Sequence, residues 1–102
     1  MKDTIIAGCA VEWDDSKNET NSKKHGISFF VAAYVFADEN RVELYDSIHS
    51  TYEDRYAVIG HVGELLYVAY TERGEVVRII SARLATKEEE ELYYEYNKGN
   101  YQ

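Results

Sequence analysis

The 102 residues hold no proline and a single cysteine. Cys9 alone can form no internal disulfide, and neither a thiol zinc site nor a redox pair can be assembled from it. It reads as a small buried residue. With no proline, no low-complexity linker and no repeat of roughly 20 to 50 residues, nothing marks an internal boundary, so residues 1–102 read as one domain. No apolar run approaches the roughly 18 residues of a membrane span, and residues 1–12 lack the basic start and apolar stretch of a secretion signal. A cytoplasmic protein with no membrane partner is expected. Positive charge is scarce as well: 11 Lys and Arg face 19 Asp and Glu, a formal net charge of −8. Nucleic-acid binding usually draws on a basic surface that displaces counterions from phosphates, so the net charge argues against it.

The acids are unevenly placed. Glu88, Glu89, Glu90 and Glu91 form one run, while Arg55, Arg73, Arg78 and Arg83 fall together in the later middle of the chain, which leaves room for a local basic face. Recognisable metal and nucleotide motifs are missing: there is no CxxC, no HxxxH, no Asp-rich loop, no Gly-rich phosphate loop and no G-x-S-x-G turn. No metal site and no cofactor are expected. Asp14-Asp15 is read as a helix cap rather than a metal ligand pair.

What is present is a substantial apolar content of 45%, with ten tyrosines, enough for a packed core. Ile5–Trp13 suits a first strand. Asp14 or Asp15 caps a polar helix running through about Lys24, with Lys23, Lys24 and His25 at its dipole-favoured end and Gly26 as its stop. Ser28 caps a second helix, in which Phe29, Ala32, Ala33 and Phe36 make a buried stripe. From Arg41 onward the period shifts toward two, through Val42 and Leu44, Tyr56 and Val58, Leu66, Val68 and Tyr70, then Val77 and Ile79. This predicts a four-stranded antiparallel meander with a tight turn at Glu72-Arg73-Gly74-Glu75. Thr86-Lys87-Glu88-Glu89 has the form of a capping box and opens a last helix carrying Leu92, Tyr93 and Tyr96. The order is strand, two helices, four strands, helix.

Strand spacing also sorts the candidate chemistry. Arg55, Ala57, Ile59 and His61 share one strand face, because alternate side chains point the same way. Arginine's forked donors suit phosphate, and histidine, glutamate or lysine suits proton transfer; the plainer reading is a solvated or salt-bridged face. Arg78 and Arg83, five apart, fall on opposite faces of an unbroken strand, so one of them serves another purpose or the strand bulges or ends. Arg73 at a hairpin tip reads as a solvated turn residue. His49, in the polar loop His49-Ser50-Thr51, is assigned no role. The tyrosines invite base stacking, but most follow strand or helix periodicity and read as packing.

Together these residues resemble the BrnT toxin family. The resemblance is carried by Trp13-Asp14-x-x-Lys17-x-x-x-Asn21-x-x-Lys24-His25-Gly26 with Phe29, Ala33, Phe36 and Asp38. It continues through Arg55-x-x-x-Ile59-Gly60, Tyr70-Thr71-Glu72-Arg73-Gly74, Arg78-Ile79-Ile80-Ser81-Ala82-Arg83 and Ala85-Thr86 with Glu89 and Tyr93. It implies an α+β, RelE-like fold: an antiparallel sheet of four to five strands packed by two N-terminal helices and one C-terminal helix. It implies a ribonuclease toxin of a type II toxin–antitoxin system that cleaves RNA without a metal ion and inhibits translation. The implied partners are a BrnA-like ribbon-helix-helix antitoxin and RNA, free or presented by the ribosome, with DNA reached only through the antitoxin. Carried onto this chain, it implies Arg55, Arg78, Arg83, Glu72 and His25 as catalytic candidates, with Glu72 as the proton acceptor, and Lys24, Arg73 and His61 as RNA-binding ones. The alternative suited to the acidic charge is a catalytically silent module that keeps the fold and binds only the antitoxin. A small acidic structural domain with no nucleic-acid role would require the ordered motif matches to be coincidence.

Overall fold

A computed structural model describes residues 1–100; the last two positions of the expected 1–102 domain lie outside the described residues. The segment expected as one strand is a hairpin, β1 (Lys2–Ile6) and β2 (Cys9–Trp13). Its turn is Ala7-Gly8, with φ of 50° and 82°. Two successive positive φ values are what a two-residue hairpin turn requires, but alanine rarely adopts them. The turn therefore carries no Asn-Gly signal, and the apolar residues on either side conceal it.

The meander is present as β3 (Val42–Tyr45), β4 (Arg55–Val62), β5 (Glu64–Arg73) and β6 (Val76–Leu84). The sheet as a whole differs from expectation: it has six strands in the order β1-β2-β6-β5-β4-β3, and it is mixed. β2 runs parallel to β6, with Val11 beside Val77. A parallel neighbour demands a long crossover, and everything between Trp13 and Val76 serves as one.

The helices also differ from expectation. α1 (Asp15–His25) is capped by Asp14, which accepts from the Ser16 and Lys17 N–H groups, and it ends on Gly26 in the left-handed conformation. The second helix is a single α turn, α2 (Phe29–Ala32), that tightens into a 3₁₀ turn over Ala33–Ala37. The anticipated stripe of Phe29, Ala32, Ala33 and Phe36 is buried on the first face of the sheet with Val11, Trp13, Val58, Val68 and Ile79. Gly60 of β4 explains how close this turn sits: a Cβ there would meet Val35 Cβ at 3.0 Å and the Val35 carbonyl at 3.2 Å. α3 (Lys87–Tyr96) lies on the opposite face, where Tyr93 packs with Val42, Ile59 and Leu65. Its start carries the expected capping box between Thr86 and Glu89.

α1 has no apolar stripe, and its one buried residue is Asn21. β2 pairs with β6 only as far as Arg78, so the later part of β6 has no strand on that side. Asn21 takes the strand's place: its amide donates to the Ala82 carbonyl at 2.9 Å and the Ile27 carbonyl at 3.0 Å, and its oxygen accepts the Ala82 N–H at 3.1 Å. Asn18 adds an acceptor for the Phe29 N–H at 2.8 Å. Asn21→Ala strands a buried N–H and a buried carbonyl, and a loss of about 2–4 kcal/mol is expected from the usual cost of unsatisfied buried groups. Urea titration of the variant against wild type checks it; an unchanged midpoint would show that α1 is not held by this residue.

Candidate functional site

The alternation of β6 is broken at one place. Tyr70 of β5 pairs with Ile79 and Ala69 pairs with Ser81, so Ile80 is an extra residue with no partner across the ladder. A bulge of this kind restores the phase after an odd step. Arg78 and Arg83, which regular alternation would put on opposite faces, therefore both lie on the face away from α2, opposite Thr71 and Tyr67 respectively. Arg55 joins them from β4, also opposite Thr71. Between them the floor is made of small side chains in register: Ala57 beside Ala69, and Ala69 beside Ser81.

A depression of about 230 Å³ opens on this floor, lined by Arg55, Arg83, Tyr67, Ser81, Asp46 and His49, among others. Arg83 stacks over the Tyr67 ring, 4.2 Å from its centroid. Its guanidinium is held end-on by Glu89, with Nη1 to Oε1 at 2.7 Å and Nη2 to Oε2 at 2.9 Å, and Nη1 also donates to the Leu84 carbonyl. Those bonds leave Nε–H and the second Nη2 hydrogen, the side-on pair that matches two phosphate oxygens. The hydrogen bond to Glu89 raises the Arg83 pKa further. Glu89 sits below the ordinary carboxylate range: its partial burial, which alone would raise it, is outweighed by Arg83 and the Thr86 N–H. Burial, with Glu89 and Asp46 nearby, pushes the Tyr67 hydroxyl up, keeping it a neutral donor. Arg55 has no ion pair among the described residues.

Asp46 and His49 come from the β3–β4 connection, which closes on itself beside Arg55. The Asp46 N–H donates to the Arg55 carbonyl at 2.8 Å. Ser50 Oγ donates to the Asp46 carbonyl at 2.6 Å and accepts the Arg55 N–H at 2.8 Å. His49 Nδ1 lies 2.7 Å from Asp46 Oδ2.

The remaining expected site residues are distributed as follows. Lys24 and His25 line a second depression with Ile80 and Ser81, so they adjoin the first across the bulge. Arg78 is turned toward β2, where Glu12 binds it at 2.6 Å and Met1 Sδ lies 3.0 Å away. Arg73 pairs with Glu53 at 3.5 Å and so ties the hairpin tip to the β3–β4 connection. Glu72 lies on the other face of the sheet, opposite Val77, with Tyr56 and Tyr70 as neighbours. His61 shares the face of Arg55 as expected, but at the far end of β4, against the rings of Tyr93 and Tyr94. Its N–H donates to Asp38. Asp46 and Tyr67 carry no reading from the sequence, and His49 is assigned no role there. The signal available for two of them was the spacing of Asp46 and His49 just ahead of Arg55. Among the described residues, no group of three or more His, Cys, Asp or Glu is arranged to hold a metal ion.

Comparisons with known proteins bear on the family and the fold. The family described as ribonuclease toxin, BrnT, of type II toxin–antitoxin systems matches residues 13–89. Among solved structures, the fold is similar to the crystal structure of the Brucella abortus ribonuclease toxin, BrnT. The TM-score is 0.57 at 24% sequence identity, over 82% of this chain and 100% of that one. No curated protein matches the chain in sequence.

Glu89 has two structural duties, as the partner of Arg83 and as the reciprocal member of the α3 capping box. Glu89→Gln is expected to lower stability at neutral pH by about 1 kcal/mol, the scale of a cap or a partly exposed bidentate pair. Because the folded-state pKa of Glu89 is depressed, its contribution is complete above the ordinary carboxylate range and is lost as pH falls through the folded value. The gap between variant and wild type should thus begin to narrow as pH falls below the ordinary glutamate value of about 4.3, and vanish only below the depressed folded value. Thermal unfolding of both proteins at neutral and acid pH reads this directly; a gap that persists unchanged in acid would assign the loss to packing instead.

Proposed function

Since the chain belongs to the BrnT family of ribonuclease toxins of type II toxin–antitoxin systems, we propose that it cleaves RNA without a metal ion, at the depression between Arg55 and Arg83, and so inhibits translation. The observation that carries this reading is the bulge at Ile80. It puts Arg83 on the face of Arg55 and leaves both arginines over a floor small enough to admit a phosphate. Attack of a 2′-oxygen on the adjacent phosphorus builds negative charge on the phosphate oxygens. Preorganised arginine forks aimed at those oxygens stabilise that charge more than they stabilise the ground state. Arg83 is preorganised by Glu89 and Tyr67, and its side-on donors face no acceptor among the described residues. The neutral Tyr67 hydroxyl supplies a further donor. Lys24 and His25, adjoining across the bulge, suit the neighbouring phosphate of the same strand.

An antitoxin and RNA follow as partners from membership of the family. We assign the antitoxin to the BrnA-like ribbon-helix-helix type, through which alone the toxin would meet DNA. The fold is taken to be of the RelE-like kind. No helix among the described residues is long and apolar enough to cross a membrane, and we assign the protein to the cytoplasm.

One observation favours a second reading. Arg73, Arg78 and Arg83 are each engaged by a carboxylate of the chain itself. A module that keeps the fold but only binds its antitoxin would look the same from that side. RNA cleavage in excess EDTA separates the two. Wild type is expected to cleave and to leave 2′,3′-cyclic phosphate ends, while Arg55→Ala, whose guanidinium holds no structural ion pair, slows cleavage roughly 100-fold or more with its melting temperature unchanged. The Arg55→Ala/Arg83→Ala pair should be inactive. Wild type inert toward RNA both free and on ribosomes would leave the antitoxin-binding module as the reading; cleavage unaffected in the double variant would move the site elsewhere.

A further inference from the structure

We propose that His49 is the group that accepts the 2′-hydroxyl proton, with Asp46 as its positioning residue; this rests on the ribonuclease reading above. The placement is the first part of the argument. His49 and Asp46 line the same depression as Arg55 and Arg83, so the imidazole stands beside the phosphate position and not at a remote edge. His25 and His61, the other two histidines, do not line it: one flanks the second depression and the other packs against α3.

The second part is the orientation of the ring. One Asp46 oxygen, Oδ1, accepts the His49 backbone N–H at 3.2 Å, which is enough to hold the turn. The other, Oδ2, is spent on the ring at 2.7 Å from Nδ1. An ionised carboxylate only accepts, so the proton of the neutral imidazole must sit on Nδ1, and Nε2 carries the lone pair. Among the described residues, Nε2 has no partner. The carboxylate that fixes this tautomer also stabilises the imidazolium formed when Nε2 takes a proton. Asp46 itself is fixed, with its side chain 22% exposed against 64% for His49. Its backbone is bonded to Arg55 and Ser50. The base is thus anchored to the strand residue that binds phosphate.

In the step assigned to it, Nε2 removes the 2′-hydroxyl proton as the O2′–P bond forms and the P–O5′ bond breaks. The leaving O5′ takes a proton from solvent water, and the imidazolium returns its own to the hydroxide so formed. Products are a 2′,3′-cyclic phosphate and a 5′-hydroxyl, with nothing oxidised or reduced.

The test uses the intact chain and an oligoribonucleotide that the wild type cleaves. A second version of it carries a bridging 5′-sulfur at the mapped cleavage position; a thiolate leaves without being protonated, so loss of a general acid is rescued by sulfur and loss of a general base is not. His49→Gln is expected to lower kcat roughly 100-fold on both substrates, with unchanged melting temperature and little change in KM. Asp46→Asn should lower kcat as a single change and add nothing to His49→Gln; a merely structural Asp46 would add its own loss. Rescue of His49→Gln by the sulfur substrate would make His49 the acid and overturn the assignment. An unaffected His49→Gln in the presence of an active wild type would remove His49 from the mechanism and leave the ribonuclease reading standing. A wild type inert on every RNA overturns the ribonuclease reading, and this proposal with it.

Discussion

One irregularity and the side chain that secures it determine much of what this protein presents to solvent. The extra residue at Ile80 changes the phase of β6, and two positions later Asn21 grips both backbone polar groups of Ala82. Without the bulge, the strand could keep Ala82 in the core opposite Val68 or keep Ile79 opposite Tyr70, but not both. Without the amide, the bulged half of β6 would be an edge with unpaired groups, liable to slip back into regular alternation. The bulge thus serves the core and the arginine face at once, and α1 serves as the lock that keeps it in register. That explains why a helix with no apolar stripe is retained against the sheet: Asn21 bonds both polar groups of Ala82, which would otherwise be buried without partners, and Asn18 accepts the Phe29 N–H.

The face so created is divided. Toward β3 and the far end of β4 it is covered by α3, with Tyr93 seated over Ile59 and Leu65 and its hydroxyl bonded to Asp38. Toward the near end it is open, because Ala57, Ala69 and Ser81 offer nothing large enough to hold a helix. Glu89 lies at the seam: it starts α3 and orients Arg83. A change in how α3 starts is therefore felt at the arginine fork. The position of the depression follows from where helix packing stops, and its chemistry follows from which long side chains border the gap.

The parts of this architecture that were legible in the sequence are those in which one local rule acts alone. The antiparallel meander, the α1 caps at Asp14 and Gly26 and the Thr86 capping box follow from period two and from the chemistry of helix ends. The β1–β2 turn was hidden because alanine occupies a left-handed position that ordinarily calls for glycine or asparagine. The parallel pairing of β2 with β6 depends on contacts more than sixty residues apart, for which no local pattern exists. The spacing of Arg78 and Arg83 did pose the right question, since two arginines five apart either diverge or mark a bulge, but only the partner strand shows which. Glu72 is the converse case: its motif neighbours are on the site face, yet alternation along β5 sends it to the other side. His49 and Asp46 carried only their three-residue spacing ahead of Arg55, and a closed loop, which obeys no period, does not turn that spacing into a face.

Net charge bears on this site less than its size suggests. At physiological ionic strength fields between exposed charges fade over about 8 Å, while the molecule extends 41 Å along its longest axis. Glu95, six residues beyond Glu89, lies about 9 Å further along α3 at 1.5 Å per residue, already past that range. Near the two joined depressions the balance is different: Lys17, Lys24, Arg55 and Arg83 stand against Asp46 and Glu89. A phosphate that has arrived meets a locally positive surface, whereas a polyanion still approaching meets a negative molecule. The acidic surface therefore acts on association rate more than on the chemical step.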